Sequence, residues 1–109
     1  IKAKKSLILA CNRKNISFIS TMGTGKRLNP EHLTITTLDK TNNDPIARIL
    51  RKFCKEQNLR NKIWVCFSKE LPKKIEGKEI ASCAFVPNCA GFLIASKVIN
   101  DLIKEKQQI

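Results

Sequence analysis

The sequence predicts an α/β protein built on an incomplete sheet, and three observations carry that prediction. Runs rich in β-branched and aromatic residues alternate with stretches of helical periodicity, in the order α-β-β-α-β-α. One run, Ile63-Trp64-Val65-Cys66-Phe67, is apolar throughout, as expected of a strand buried on both faces. Three strands are few for helices on both faces to cover, so the sheet reads as part of a larger one.

Taken in order, Lys2 to Lys14 reads as a short helix, with Leu7, Ile8, Ala10 and Cys11 at helical spacing between Lys4, Lys5, Arg13 and Lys14. Ile16 to Thr21 is a strand stopped by Gly23, followed by a loop from Met22 to His32 that carries Gly23-Thr24-Gly25 and Asn29-Pro30. Leu33-Thr34-Ile35-Thr36-Thr37 is the second strand. Asn43-Asp44-Pro45 is the clearest helix start, since Asp44 can cap free amides and Pro45 suits the first helical position. At roughly 100° per residue, Ile46, Ile49, Leu50 and Phe53 share one arc and Arg48, Arg51, Lys52 and Lys55 lie opposite. That predicts a core face and a basic face. Lys69 to Glu79 is a solvated loop, and helical periodicity returns from Asn88 or Ala90 to Lys106. The apolar Ala90 to Ala95 stretch predicts that this helix is buried in its first turns and lies on the surface at its end.

Residues 1–109 are expected to form a single unit, because the length leaves no room for a second domain. Hydrophobic residues are 42% and charged residues 28% of the chain, a globular composition that excludes a disordered basic tail. No apolar run reaches the roughly 18 residues of a membrane span. The four apolar residues after Ser6 are too few for the core of a signal peptide, and the absence of a starting Met points to a processed product or a piece of a longer chain. Five scattered cysteines without a C-x-x-C fit free thiols in a reducing, cytoplasmic setting.

Gly23-Thr24-Gly25-Lys26-Arg27 follows a strand, as a phosphate-cradling loop would, but Ser20 and Arg27 stand where a P-loop needs Gly and Ser or Thr. A strand follows instead of a helix N-terminus, which favours a structural glycine turn. Five residues separate Cys83 from Cys89 and His32 is the sole histidine, so no metal site is predicted. Cys83 with His32 as its base is the one nucleophile arrangement available, and an inert exposed thiol is the simpler reading.

The net charge of +12 comes from 21 Lys and Arg against 9 Asp and Glu. Sixteen of the 21 are Lys in a chain rich in Asn and Ile, the mixture that an AT-rich genome produces by codon bias with no partner implied. Arg48, Arg51, Lys52 and Lys55 resist that explanation because they share one helix face and include two Arg. Four cations over about two turns can neutralise successive phosphates without reading a sequence. One Trp and no Tyr leave little for base stacking.

Several segments, in this order, resemble one family: Ser20-Thr21-Met22-Gly23-Thr24-Gly25, Leu28-Asn29-Pro30, Leu38-Asp39-Lys40-Thr41, Asp44-Pro45-Ile46-Ala47-Arg48 with Arg51 following, Val65-Cys66-Phe67-Ser68-Lys69-Glu70, and Ala84-Phe85-Val86-Pro87-Asn88-Cys89-Ala90-Gly91. The chain is similar to the C-terminal part of the tRNA threonylcarbamoyladenosine dehydratases, of the ThiF/MoeB/HesA superfamily. The Lys-Thr-x-x-Asp-Pro spacing and the Phe-Val-Pro-x-x-Ala-Gly entry to the last helix are its most specific marks. Lys26-Arg27, Cys83 and Asn88 depart from the family pattern.

The resemblance implies the C-terminal portion of a Rossmann-like, ThiF-type adenylating domain. Its parent would use ATP and Mg2+ to adenylate the threonyl carboxylate of the modified adenosine beside the anticodon, after which ring closure expels AMP. It implies tRNA as partner, a homodimer, and a sulfur-carrier or desulfurase protein as a further partner. It also implies that the glycine-rich nucleotide loop, the ATP-contacting basic residues and the metal-binding aspartate lie upstream of Ile1. No catalytic residue is then expected in this chain, and Lys4 is the residue carried over beside the nucleotide. Arg48, Arg51, Lys52 and Lys55 are the expected tRNA phosphate contacts. The chain alone is expected neither to bind ATP nor to cyclise, and the alternative is a non-catalytic tRNA-binding or dimerisation module derived from the family.

Overall fold

Three strands and three helices follow one another in a computed structural model that describes residues 1–23, 27–59, 62–71 and 85–107. They are α1 (Lys2–Arg13), β1 (Ile19–Thr21), β2 (Leu33–Thr37), α2 (Pro45–Glu56), β3 (Trp64–Ser68) and α3 (Phe85–Gln107), with single 3-10 turns at Pro30–His32 and Leu38–Lys40. The predicted order is the observed one. The sheet order is β1-β3-β2, with β1 parallel to β3 and β2 antiparallel to it. The sheet is therefore mixed, with β3 in the middle and both neighbours at edges.

Side-chain alternation along β3 divides the protein into two layers of helix. Ile63, Val65 and Phe67 point into a core with Ile8 of α1, Met22, and Ala47, Leu50 and Cys54 of α2. Cys66 and Ser68 face the opposite way, toward α3, and are fully buried. The β2 residues paired with them, Ile35 and Leu33, share that face.

The sequence places the helix ends well. Asp44 caps α2 by accepting from the Ala47 amide at 3.0 Å, and Pro45 occupies the first turn. Both α1 and α2 end in an Asn with positive φ, Asn15 and Asn58, each at 54°. The next residue in each case donates back across the last turn, Ile16 to Cys11 and Leu59 to Cys54, so the orphan carbonyls are satisfied.

That cap corrects one prediction. Ile16 is tied to the end of α1 and stays exposed, so β1 begins at Ile19 and not at Ile16. A second correction concerns α2, which is rotated relative to its predicted apolar arc. Ala47, Leu50 and Cys54 are its buried residues, Ile46 and Phe53 pack at the margin, and Ile49 is exposed. Small Ala47 and Cys54 let the helix sit close to the sheet, which outweighs turning Ile49 inward.

The third correction is the largest. α3 starts at Phe85, ahead of the predicted Asn88 or Ala90, and its apolar first turns are not buried. Among its described side chains only Val86 and Ala90 are sealed, continued by half-buried Ile94 and Lys97 in a stripe of helical spacing. Phe92 is 76% exposed. A helix of this length runs about 35 Å, whereas three strands span only about 10 to 15 Å, so among the described residues most of α3 has no sheet beneath it.

Candidate nucleic-acid interface

Arg48, Lys52 and Lys55 are all exposed along α2, so three of the four predicted cations stand on one outer surface. Arg51 behaves differently. It is half-buried, and its Nη1 donates to the Thr41 carbonyl at 3.1 Å and to the Thr41 hydroxyl. Thr41 in turn donates to the Leu38 carbonyl at 2.7 Å. The Lys-Thr-x-x-Asp-Pro spacing thus has a physical content: Thr41 closes the 3-10 turn and receives Arg51, and Asp44 starts the helix that supplies Arg51. Arg48 and Arg51 line an open cleft of about 360 Å³ beside Asn43, Asp44 and Pro45.

The carboxyl ends of β1 and β3 carry a second cluster, which the sequence did not announce. Arg27 is 2% exposed, turned inward from the loop after β1. Its Nη2 lies 3.9 Å from the Asp44 carboxylate and donates to the Asn43 carbonyl at 2.9 Å, while its Nε donates to the Glu70 carbonyl at 3.4 Å. Asp44 also accepts from the Gly23 amide at 3.1 Å, and the Glu70 carboxylate accepts from the amides of Leu28 and Asn29. One buried carboxylate thereby ties the β1 exit to the start of α2. A Cβ at Gly23 would sit in ordinary contact with Arg27, Ile46 and Asp44, at 3.4 to 3.6 Å. Thr24, Gly25 and Lys26 lie outside the described residues.

Lys4 reaches the same end of the sheet from α1. Its ammonium donates to the Ser20 hydroxyl at 3.0 Å and to the Thr21 carbonyl at 2.6 Å. Partial burial lowers its pKa, and the nearby Asp44 carboxylate pushes the other way. In open α/β sheets this end of the strands is where ligands bind.

Metal-binding residues do not converge here. No group of three His, Cys, Asp or Glu able to hold a metal occurs among the described residues, and both oxygens of Asp44 already accept from backbone amides. These residues do not fit a Mg2+ ion, whose aspartate the resemblance places upstream of Ile1. His32 is exposed at the start of β2, and Cys83 lies outside the described residues. Cys54 and Cys66 are buried free thiols, and burial pushes the Cys66 thiol up to about 11. Neither is poised as a nucleophile.

Known proteins match this arrangement closely. The tRNA threonylcarbamoyladenosine dehydratase of Bacillus subtilis is 30% identical over 94% of the chain, and that of Haemophilus influenzae is 31% identical over 97%. The chain belongs to the tRNA threonylcarbamoyladenosine dehydratase family. It spans about half the length of these relatives, 47% and 48% respectively, and matches their C-terminal part. Among solved structures, the Escherichia coli dehydratase TcdA in complex with AMP superposes with a TM-score of 0.87 at 25% identity, over 97% of this chain and 46% of that one. The same enzyme in complex with ATP gives 0.83 at 25% identity, over 96% and 45%. No family model matches the chain. The incomplete mixed sheet is thus the C-terminal portion of the ThiF-type, Rossmann-like fold of the dehydratases. Among the described residues, no helix is long and apolar enough to cross a membrane.

Proposed function

We propose that this chain is the C-terminal portion of an ATP-dependent tRNA threonylcarbamoyladenosine dehydratase, and that its own contribution is to hold tRNA. The observation that carries the reading is the match to dehydratases over nearly the whole chain, combined with exposed Arg48, Lys52 and Lys55 along α2. In this reading the upstream half supplies the site that binds ATP and Mg2+ and adenylates the threonyl carboxylate. Residues 1–109 act as one unit, and Lys4 stands next to the nucleotide at the end of β1. The enzyme works on tRNA in the cytoplasm.

The uncovered face of α3 supports a homodimer. Phe92, Ile99, Leu102 and Ile103 are each about half exposed or more, and an apolar surface of that kind marks a contact site. A second copy offers the same face in return. The sulfur-carrier or desulfurase protein is a further partner of the parent in the same reading.

Filter binding of a tRNA transcript across KCl concentrations tests the proposal. Affinity is expected to fall steeply with salt, and Arg48→Glu with Lys52→Glu is expected to abolish binding at salt concentrations where the unaltered chain binds. Salt-independent binding, or binding unaffected by both charge reversals, contradicts it.

A further inference from the structure

Lys40 belongs to the segment that marks the family, yet neither the fold nor the α2 face accounts for it. It ends the 3-10 turn after β2 and is exposed. There it meets Lys55 of α2 and Lys62, just ahead of β3, around an open cavity of about 580 Å³. Arg51 forms part of the wall, and Cys54 and Ile63 line it from the core.

We infer that this cavity is a binding site for the phosphodiester backbone of RNA, continuing the track that starts at Arg48. The inference rests on the reading of the chain as the tRNA-holding portion of its enzyme, and it adds a site off the α2 face. Four cations from three separate segments converge on one hollow, which codon bias along a single helix does not produce. Among the described residues that line it, Asp39 is the one carboxylate. The Thr37 hydroxyl, and then Lys40 and Lys62, keep it ionised, and the hollow still holds four cations against one anion. An apolar floor concentrates the field of such a rim on whatever enters.

The form of the ligand follows from Arg51. Its side chain lines both this cavity and the cleft beside Arg48, so the two hollows adjoin across one guanidinium. Thr41 fixes that guanidinium in place. Two adjoining cationic hollows suit a chain with repeated charges better than a single small anion. Phosphate contacts of this type fix the register of an RNA and leave its sequence unread.

The test is binding of a tRNA transcript to the chain across KCl concentrations. Lys40→Gln with Lys62→Gln is expected to weaken binding about tenfold and to lower the log–log salt slope by about 2, one for each lost phosphate contact. Lys40→Arg with Lys62→Arg is expected to restore both. If the Gln pair binds as the unaltered chain does while Arg48→Glu with Lys52→Glu weakens binding, the cavity is not part of the interface and the inference falls alone. If the unaltered chain shows no salt-dependent tRNA binding, the functional reading falls and takes the cavity with it. Inorganic triphosphate that displaces the transcript from the unaltered chain by binding where Lys40 and Lys62 are needed would assign the hollow to a small polyanion and overturn the RNA assignment.

Discussion

The helix layers on the two faces of the sheet end in opposite states. On the side of α1 and α2, Leu50 and Val65 are 1% and 0% exposed, and the core is closed by Ile8, Met22, Ala47 and Phe67. On the side of α3, Val86 and Ala90 seal one stripe while Phe92 and Ile99 remain 76% and 57% exposed. The more apolar helix is the less buried one. Burial is thus decided by how much partner surface lies opposite a helix, and three strands supply enough for only one stripe of α3.

Substitutions on the closed side are expected to be the most damaging. Asp44→Ala removes the α2 cap and the Gly23 partner and leaves the buried Arg27 without its carboxylate, a loss of about 3 to 4 kcal/mol in urea unfolding. Asp44→Asn keeps an acceptor at the cap and is expected to cost about half as much. Leu50→Ala is expected to cost about 3 kcal/mol through lost burial and a cavity.

Cys66 reports on the other side, because it is buried beneath α3 with its thiol pushed up to about 11. Alkylation at pH 8 is expected to modify it at least about 100-fold more slowly than half-buried Cys11 and Cys89, since the thiolate is the reactive form. Equal rates measured by peptide mass spectrometry mean that α3 lifts off the sheet readily. At concentrations where the chain is monomeric, Phe92→Ser is expected to change stability by less than about 0.5 kcal/mol, and a loss of about 2 kcal/mol or more there would show that the outer face of α3 is packed within one copy.

The smallest effect concerns Asp39, whose carboxyl is held below its usual 3.8, foremost by the Thr37 hydroxyl. A folded pKa below the unfolded one stabilises the protein fully above that usual value and loses this contribution as pH falls through the lower one. Asp39→Asn is expected to remove this small acid-side loss from the pH profile of the melting temperature.

Local signals in the sequence carried most of the fold. Asp44-Pro45 located the start of α2 to the residue, and the β-branched run Leu33–Thr37 located β2, because caps and strand runs are encoded within a few neighbours. Features set by tertiary surroundings were not legible. The exposure of Phe92 depends on how wide the sheet beneath α3 is, and periodicity contains no such information. Ile16 looked like strand because its side chain is β-branched, but the αL conformation of Asn15 ties it to α1. Arg27 was legible as the residue that breaks a P-loop and departs from the family pattern, and not as a buried partner of Asp44. Its inward turn follows from Asp44, which had been assigned a single role as a cap. In the same way Arg51 read as one of four equivalent cations, and Thr41, ten residues earlier, sets it apart.

The central claim is that this chain is the tRNA-holding portion of an enzyme whose adenylating site lies in the preceding half. Joining the N-terminal half of the Bacillus subtilis dehydratase to Ile1 tests it most directly, with AMP release measured on tRNA carrying threonylcarbamoyladenosine. The account predicts ATP-dependent AMP release and the cyclised nucleoside from the joined protein, and neither from the 109-residue chain alone. AMP release by the chain alone, or a folded joined protein that binds ATP and leaves the modified tRNA unchanged, would contradict it.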